Sequence, residues 1–141
     1  DTVMNMAAKV AMAYFESKGL KVKVTGDNED VLIAYFGCKN VDTLQIVLFF
    51  NEKGTNVHIM GREFCKVSEE KKPAMYKVCS ELNSKFRWVK FYINETDNTV
   101  IAEDDAVIQL DSCGAECFEL MLRMSSIVDE AYPILMKANW A

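Results

Sequence analysis

Proline and histidine are scarce in this chain, and glycine is thinly spread. Its 141 residues hold two prolines, six glycines and one histidine. The prolines and glycines stand singly, so there is no linker, repeat or low-complexity stretch. No G-x-G-x-x-G or G-x-x-x-x-G-K-[ST] occurs, which removes the glycine loops that cradle phosphates. Five cysteines (Cys38, Cys65, Cys79, Cys113, Cys117) form no C-x-x-C pair and are odd in number, a pattern that fits a reduced, cytoplasmic protein. No apolar run approaches the roughly 20 residues of a membrane helix; the longest, Ile46-Val47-Leu48-Phe49-Phe50, is strand length. Asp1-Thr2-Val3 lacks the basic start and apolar core of a signal peptide. With Asp1 in place of an initiating Met, a segment removed ahead of it stays open. Positive charge is also short: Lys and Arg total 16 against 21 Asp and Glu, a net charge of −5. The densest run, Glu69-Glu70-Lys71-Lys72, is half acidic, so no nucleic-acid groove is expected.

What is present is the composition of a globular protein: 50% apolar, 11% aromatic and 26% charged. One domain over residues 1–141 is expected, large enough to bury a core without disulfides or metals. Val3, Ala7, Val10 and Tyr14, widened by Met6 and Ala13, predict a first helix ended by Gly19. From Leu20 the period changes to two. Leu20–Thr25, Val31–Phe36, Leu44–Phe50 and Val57–Arg62 read as a meander of four strands, with turns at Gly26–Glu29, Gly37–Asp42 and Asn51–Gly54. Ser68 caps a second helix with Pro73 in its first turn and Met75, Val78, Cys79 and Leu82 on its apolar stripe. Arg87–Ile93 is a strand with Val89, Phe91 and Ile93 on one face and Trp88, Lys90 and Tyr92 on the other. Thr99 to about Ala102 returns beside it. Asp111 or Ser112 caps a last helix to about Ala138, in which Pro133 predicts a kink or break near Ala131. The fold class is α+β: an antiparallel sheet of about six strands covered by three helices, in the order α-ββββ-α-ββ-α.

Few groups offer chemistry. His58, in Val57-His58-Ile59, reads as a half-exposed sheet residue; a nucleophile–base pair with Cys65 is its sharpest catalytic alternative. Cys113 and Cys117, one helical turn apart, read as packing residues, with a shared metal ion as the alternative. Glu103-Asp104-Asp105 and Asp27, Glu29 and Asp30 read as solvated strand-end and turn clusters. Asn94-Glu95-Thr96 matches a glycosylation sequon that a cytoplasmic protein never presents. The feature left over is apolar excess on the last helix, where Leu120, Met121, Leu122, Met124, Ile127 and Val128 cover more than half the circumference.

Leu82-Asn83 followed by Phe86-Arg87-Trp88-Val89-Lys90-Phe91-Tyr92-Ile93, the acidic Ala102-Glu103-Asp104-Asp105 and the helix segment Asp129-Glu130-Ala131-Tyr132-Pro133 resemble the YbjN-like family of bacterial sensory-transduction regulators. The resemblance implies a fold like that of type III secretion chaperones, with helices on an antiparallel sheet, often as a homodimer. The family supplies no catalytic residues to carry over. Four strands here, rather than three, separate the first two helices, so the chaperones' groove and dimer mode are not carried over.

The expected function is a non-enzymatic protein-binding or regulatory module without cofactor or metal. It is expected to form a homodimer through the last helix and to hold a polypeptide partner along its sheet or helix groove, with Leu120, Met121, Met124, Ile127, Val128, Trp88 and Tyr92 as the partner or dimer interface. The alternative is a small-ligand sensor whose Met-rich core opens for an apolar metabolite.

Overall fold

The change of period after Gly19 marks where the chain leaves a helix for a sheet. In the computed structural model, which describes residues 3–141, the elements are α1 (Met6–Ser17), β1 (Val22–Thr25), β2 (Val31–Phe36), β3 (Leu44–Phe50), β4 (Asn56–Arg62), α2 (Lys72–Lys85), β5 (Lys90–Asn94), β6 (Thr99–Val107) and α3 (Cys113–Trp140). The strands form one six-stranded antiparallel sheet in the order β1-β2-β3-β4-β6-β5. This is the α+β order that the sequence predicts. The N-terminal meander pairs neighbours in sequence, while β6 reaches back across α2 to lie beside β4.

Alternation decides which side of the sheet meets the helices. Leu32 and Ala34, Leu44, Ile46, Leu48 and Phe50, Val57 and Ile59, and Phe91 and Ile93 enter one core with the buried faces of α1, α2 and α3. All three helices therefore lie on one side of the sheet. Gly19 (φ +79°) ends α1 in the left-handed conformation. Asn5 starts it: its carboxamide oxygen accepts the Ala8 N–H at 3.1 Å, and its NH2 donates to the Asn51 carbonyl at 2.8 Å. The α1 and α3 helices meet so closely at Gly114 that a Cβ there would lie 2.5 Å from Tyr14 Cβ.

Four local readings of the sequence are corrected. The buried face of α1 is Ala7, Ala8, Ala11 and Phe15, whereas Val3, Met6 and Ala13 are exposed. Small alanines let the helix approach its neighbours, and size of this kind leaves no mark in an apolar period. Trp88 sits at φ +73° just before β5, so its indole leaves the strand alternation and stacks on Arg123 of α3, 4.6 Å from ring centroid to guanidinium. The Glu103–Asp105 cluster lies inside β6, paired along its length with β4. Ser68 precedes a 3-10 turn at Glu69–Lys71 and makes no side-chain cap bond.

Pro133 does not break α3, which continues to Trp140. A proline has no N–H to give the carbonyl four residues earlier, here that of Asp129. Asn40 supplies the missing donor: its NH2 reaches the Asp129 carbonyl at 3.0 Å. The Asp129 carboxylate in turn accepts the backbone N–H groups of Asn40 at 2.6 Å, Val41 at 3.0 Å and Lys39 at 3.3 Å. The β2–β3 loop is thus tied to α3 one turn before the proline.

Candidate functional site: the uncovered face of the sheet

The residues alternating with the core set point away from every helix. Cross-strand register arranges them in rows. One row runs Lys23, Ile33, Val47, Met60, Glu103 from β1 to β6; the next runs Thr25, Val31, Phe49, His58, Asp105. Tyr35 and Tyr92 flank these rows, 45% and 40% exposed. Val47 and Ile101 are closed over by neighbouring side chains, while Val31, Ile33, Phe49 and Met60 stay half-exposed. An apolar centre with charged ends is the composition of an interaction surface.

His58 is the polar focus of this face. Its Nδ1 lies 2.7 Å from Asp105 Oδ1 and its Nε2 3.6 Å from Glu103 Oε2, with Phe49 against the ring. The side chain is 34% exposed, the half-exposed sheet position that the sequence predicts. Both nitrogens face carboxylates, so neither is directed at a nucleophile. Tyr92 also hydrogen-bonds Glu103; burial first, and then this bond, raise its phenol above the ordinary range. Lys90 stands beside Glu103 in register but turns its ammonium to the carbonyls of Phe86 and Asn83, at 2.8 and 2.9 Å.

The cysteines are set against catalysis. Burial, with a smaller contribution from Cys79, pushes the Cys65 thiol up to about 12, opposite to the shift an activated nucleophile needs. Burial, then Cys113 and Glu116, pushes Cys117 up to about 12, and the Cys113 thiol donates to the Ala7 carbonyl at 3.4 Å. Among the described residues, no three His, Cys, Asp or Glu side chains converge as a metal site. Asp27 and Glu29 are solvated in the β1–β2 turn.

Of the residues read from sequence as a partner surface, Met121, Met124 and Val128 are fully buried against this chain's own core. They belong to the sheet-facing stripe of α3 and present nothing outside. Leu120 and Ile127 are half-buried beside that core, and Leu122 is 45% exposed. Tyr92 lies on the open sheet face, and Trp88 lies apart from it against α3. Sequence reading missed Ile33, Phe49 and Met60, although their alternation with core residues was visible. Helices on one face of the sheet were legible; which residues of these doubly apolar strands look out on the other face was not.

Asp104 points the other way, into the helix layer. Its Oδ2 has no hydrogen-bond partner, and burial, chiefly, raises its carboxyl above the usual range. Asn94-Glu95-Thr96 closes the β5–β6 turn; there the Glu95 carboxylate binds Lys72 Nζ at 2.7 Å and the Tyr76 hydroxyl.

A family model described as "YbjN: Putative bacterial sensory transduction regulator" matches residues 9–126. The chain belongs to the YbjN family. The match contains the Leu82-Asn83 step, the β5 segment and the acidic stretch of β6, while Asp129–Pro133 lies beyond it. The fold is similar to that in "Crystal structure of YbjN, a putative transcription regulator from E. coli", with a TM-score of 0.63 at 9% identity over 88% of this chain and 87% of that one. At that identity the likeness to YbjN is one of fold. No curated protein matches the sequence significantly. The family is described as one of regulators, and no described helix is long and apolar enough to cross a membrane.

Proposed function

We propose that the protein is a non-enzymatic regulator that acts by binding polypeptide, with the uncovered sheet face as its docking surface, and that it works as a homodimer. The observation that carries this reading is the contrast between the two sides of one sheet. Every helix packs on one side, while Ile33, Phe49 and Met60 stand on the other without cover. The two carboxylates on His58 favour a surface of fixed polarity over a reaction centre. Five free thiols fit a reducing, cytoplasmic setting.

Affinity capture from host lysate, with wild type and Phe49→Asp compared side by side, tests the reading. A partner held in fixed stoichiometry by wild type and lost by a folded Phe49→Asp variant supports it. Equal capture by both removes the sheet face from the function.

A small-ligand sensor is the second reading. It is favoured by the groove of about 330 Å³ between α2 and β5, lined by Tyr76, Cys79, Asn83, Phe91 and Tyr92, a volume near the lower end for ligand sites. A thermal-shift screen of apolar metabolites that returns no hit removes it.

A further inference from the structure

We infer that the occupant of the open face is a second copy of this chain, packed sheet to sheet about a two-fold axis that runs along β3 between Val47 and Phe49. The inference rests on the docking reading above and goes beyond it by naming the partner and its register.

The argument is charge complementarity set by strand pairing. β3 is the middle strand of the five from β1 to β6. The first row begins on β1 with Lys23, crosses Ile33, Val47 and Met60, and ends on β6 with Glu103. A two-fold axis along β3 lays β1 of one copy over β6 of the other. Lys23 then faces the partner subunit's Glu103, and the reverse contact repeats it. Ile33 faces the partner's Met60 on either side of Val47, which its own neighbours already cover. In the second row Thr25 faces the partner's Asp105, Val31 faces the partner's His58, and Phe49 meets its own copy. Such an interface is isologous, as a closed dimer requires.

The other two-fold that stacks these faces runs across the strands. It sets β1 over β1 and β6 over β6, so acids of β6 oppose acids of β6 and Lys23 meets none. Like charges directly opposed are costly, so the axis along β3 is favoured. Stacked sheets lie about 10 Å apart and cross at about 30°. Two strands from the axis, roughly 10 Å, that crossing displaces the rows by about 5 Å, within the reach of a lysine side chain.

Both charges stand ready for such a contact. Among the described residues Lys23 has no carboxylate partner; its ammonium lies over the Tyr35 ring at 5.7 Å. Glu103 touches His58 and Tyr92, and the one lysine beside it is turned away to the end of α2.

Sedimentation of wild type, Lys23→Glu, Glu103→Lys and the double variant, from about 1 to 100 μM protein, tests the inference, with circular dichroism to confirm that each folds. The expected result is a wild-type dimer, at least about tenfold weaker in each single variant and restored to within about threefold in the double. The wild-type dissociation constant also rises with salt. A dimer unmoved by either single variant uses another surface and overturns the inference. A wild-type monomer at 100 μM overturns it as well. In that case the docking reading is judged separately by whether Phe49→Asp loses the captured polypeptide.

Discussion

The side-chain amide of Asn83 holds both backbone polar groups of Phe91: its Oδ1 accepts the Phe91 N–H at 2.6 Å, and its Nδ2 donates to the Phe91 carbonyl at 3.0 Å. β5 is an outer strand of the sheet, so these two groups have no neighbouring strand. One carboxamide on α2 stands in for that strand and blocks the edge against another chain. Leu82-Asn83 matters as a step because Leu82 anchors α2 in the core while Asn83, one residue on, reaches the strand edge.

Replacing Asn83 by Leu leaves both Phe91 groups without their partner. We expect a loss of about 1–3 kcal/mol, read as a lowered urea midpoint, together with faster hydrogen exchange at the Phe91 amide. Asn83→Asp keeps the acceptor and loses the donor, and falls between. An unchanged Phe91 exchange rate in Asn83→Leu would show that the plug contributes nothing.

Gly114 of α3 lies directly against Tyr14 of α1. In Gly114→Ala the new methyl meets Tyr14 Cβ, an atom fixed to the helix backbone, so the helices must separate. Overpacking of this kind costs about 1–3 kcal/mol. Calorimetry should show a lower Tm, and adding Tyr14→Ala should not restore it, because alanine keeps the Cβ that the new methyl meets.

Burial alone would raise the Asp129 carboxyl, but the backbone N–H groups of Val41, Asn40 and Lys39 outweigh it and hold the group below its ordinary 3.8. A carboxyl lowered in the folded state stabilises above its unfolded value and loses that contribution as pH falls through the folded one. Asp129→Asn should therefore lower Tm by a few degrees, about 3–8 °C, at pH 7. The gap from wild type should hold between pH 8 and 5 and close below about pH 4. A gap independent of pH down to 2 would assign the effect to the amide's shape instead of to charge.

Thiol reactivity should be ordered by burial. Cys65 and Cys117 are pushed up to about 12 and Cys79 to about 11, each chiefly by burial. Cys38 is the one cysteine outside the buried set, although burial and then Asp129 raise it too. Iodoacetamide at pH 8 followed by mass spectrometry should mark Cys38 first and the other four only after unfolding. Fast labelling of native Cys65 would revive its pairing with His58.

The four-strand meander was legible because β1 and β4 alternate, β2 and β3 are apolar runs of strand length, and each turn carries residues suited to it; β2 and β3 run as the sequence predicts, residue for residue. The partner surface was less legible. Met121, Met124 and Val128 are apolar whether they face a sheet or a second protein, and the sequence does not say which. Trp88 kept the strand's alternation on paper, but a left-handed φ is a property of the folded turn. The triplet Glu103-Asp104-Asp105 looked like a solvated end because three acids rarely share a strand. Here two of them face open solvent beside His58 and the middle one pays the desolvation of the core side.

The strand order also sets a sequence of events in time. Strands β1 to β4 pair with their neighbours and can form as soon as they leave the ribosome, since such local closures are cheap in entropy. Their helix side then waits. Met121, Met124, Val128 and Leu135, which help to cover it, belong to α3, made after all six strands. Until those 28 residues emerge, the helix side of the sheet is covered only in part, by α1 and α2, and that interval is when aggregation or a holding chaperone competes with folding.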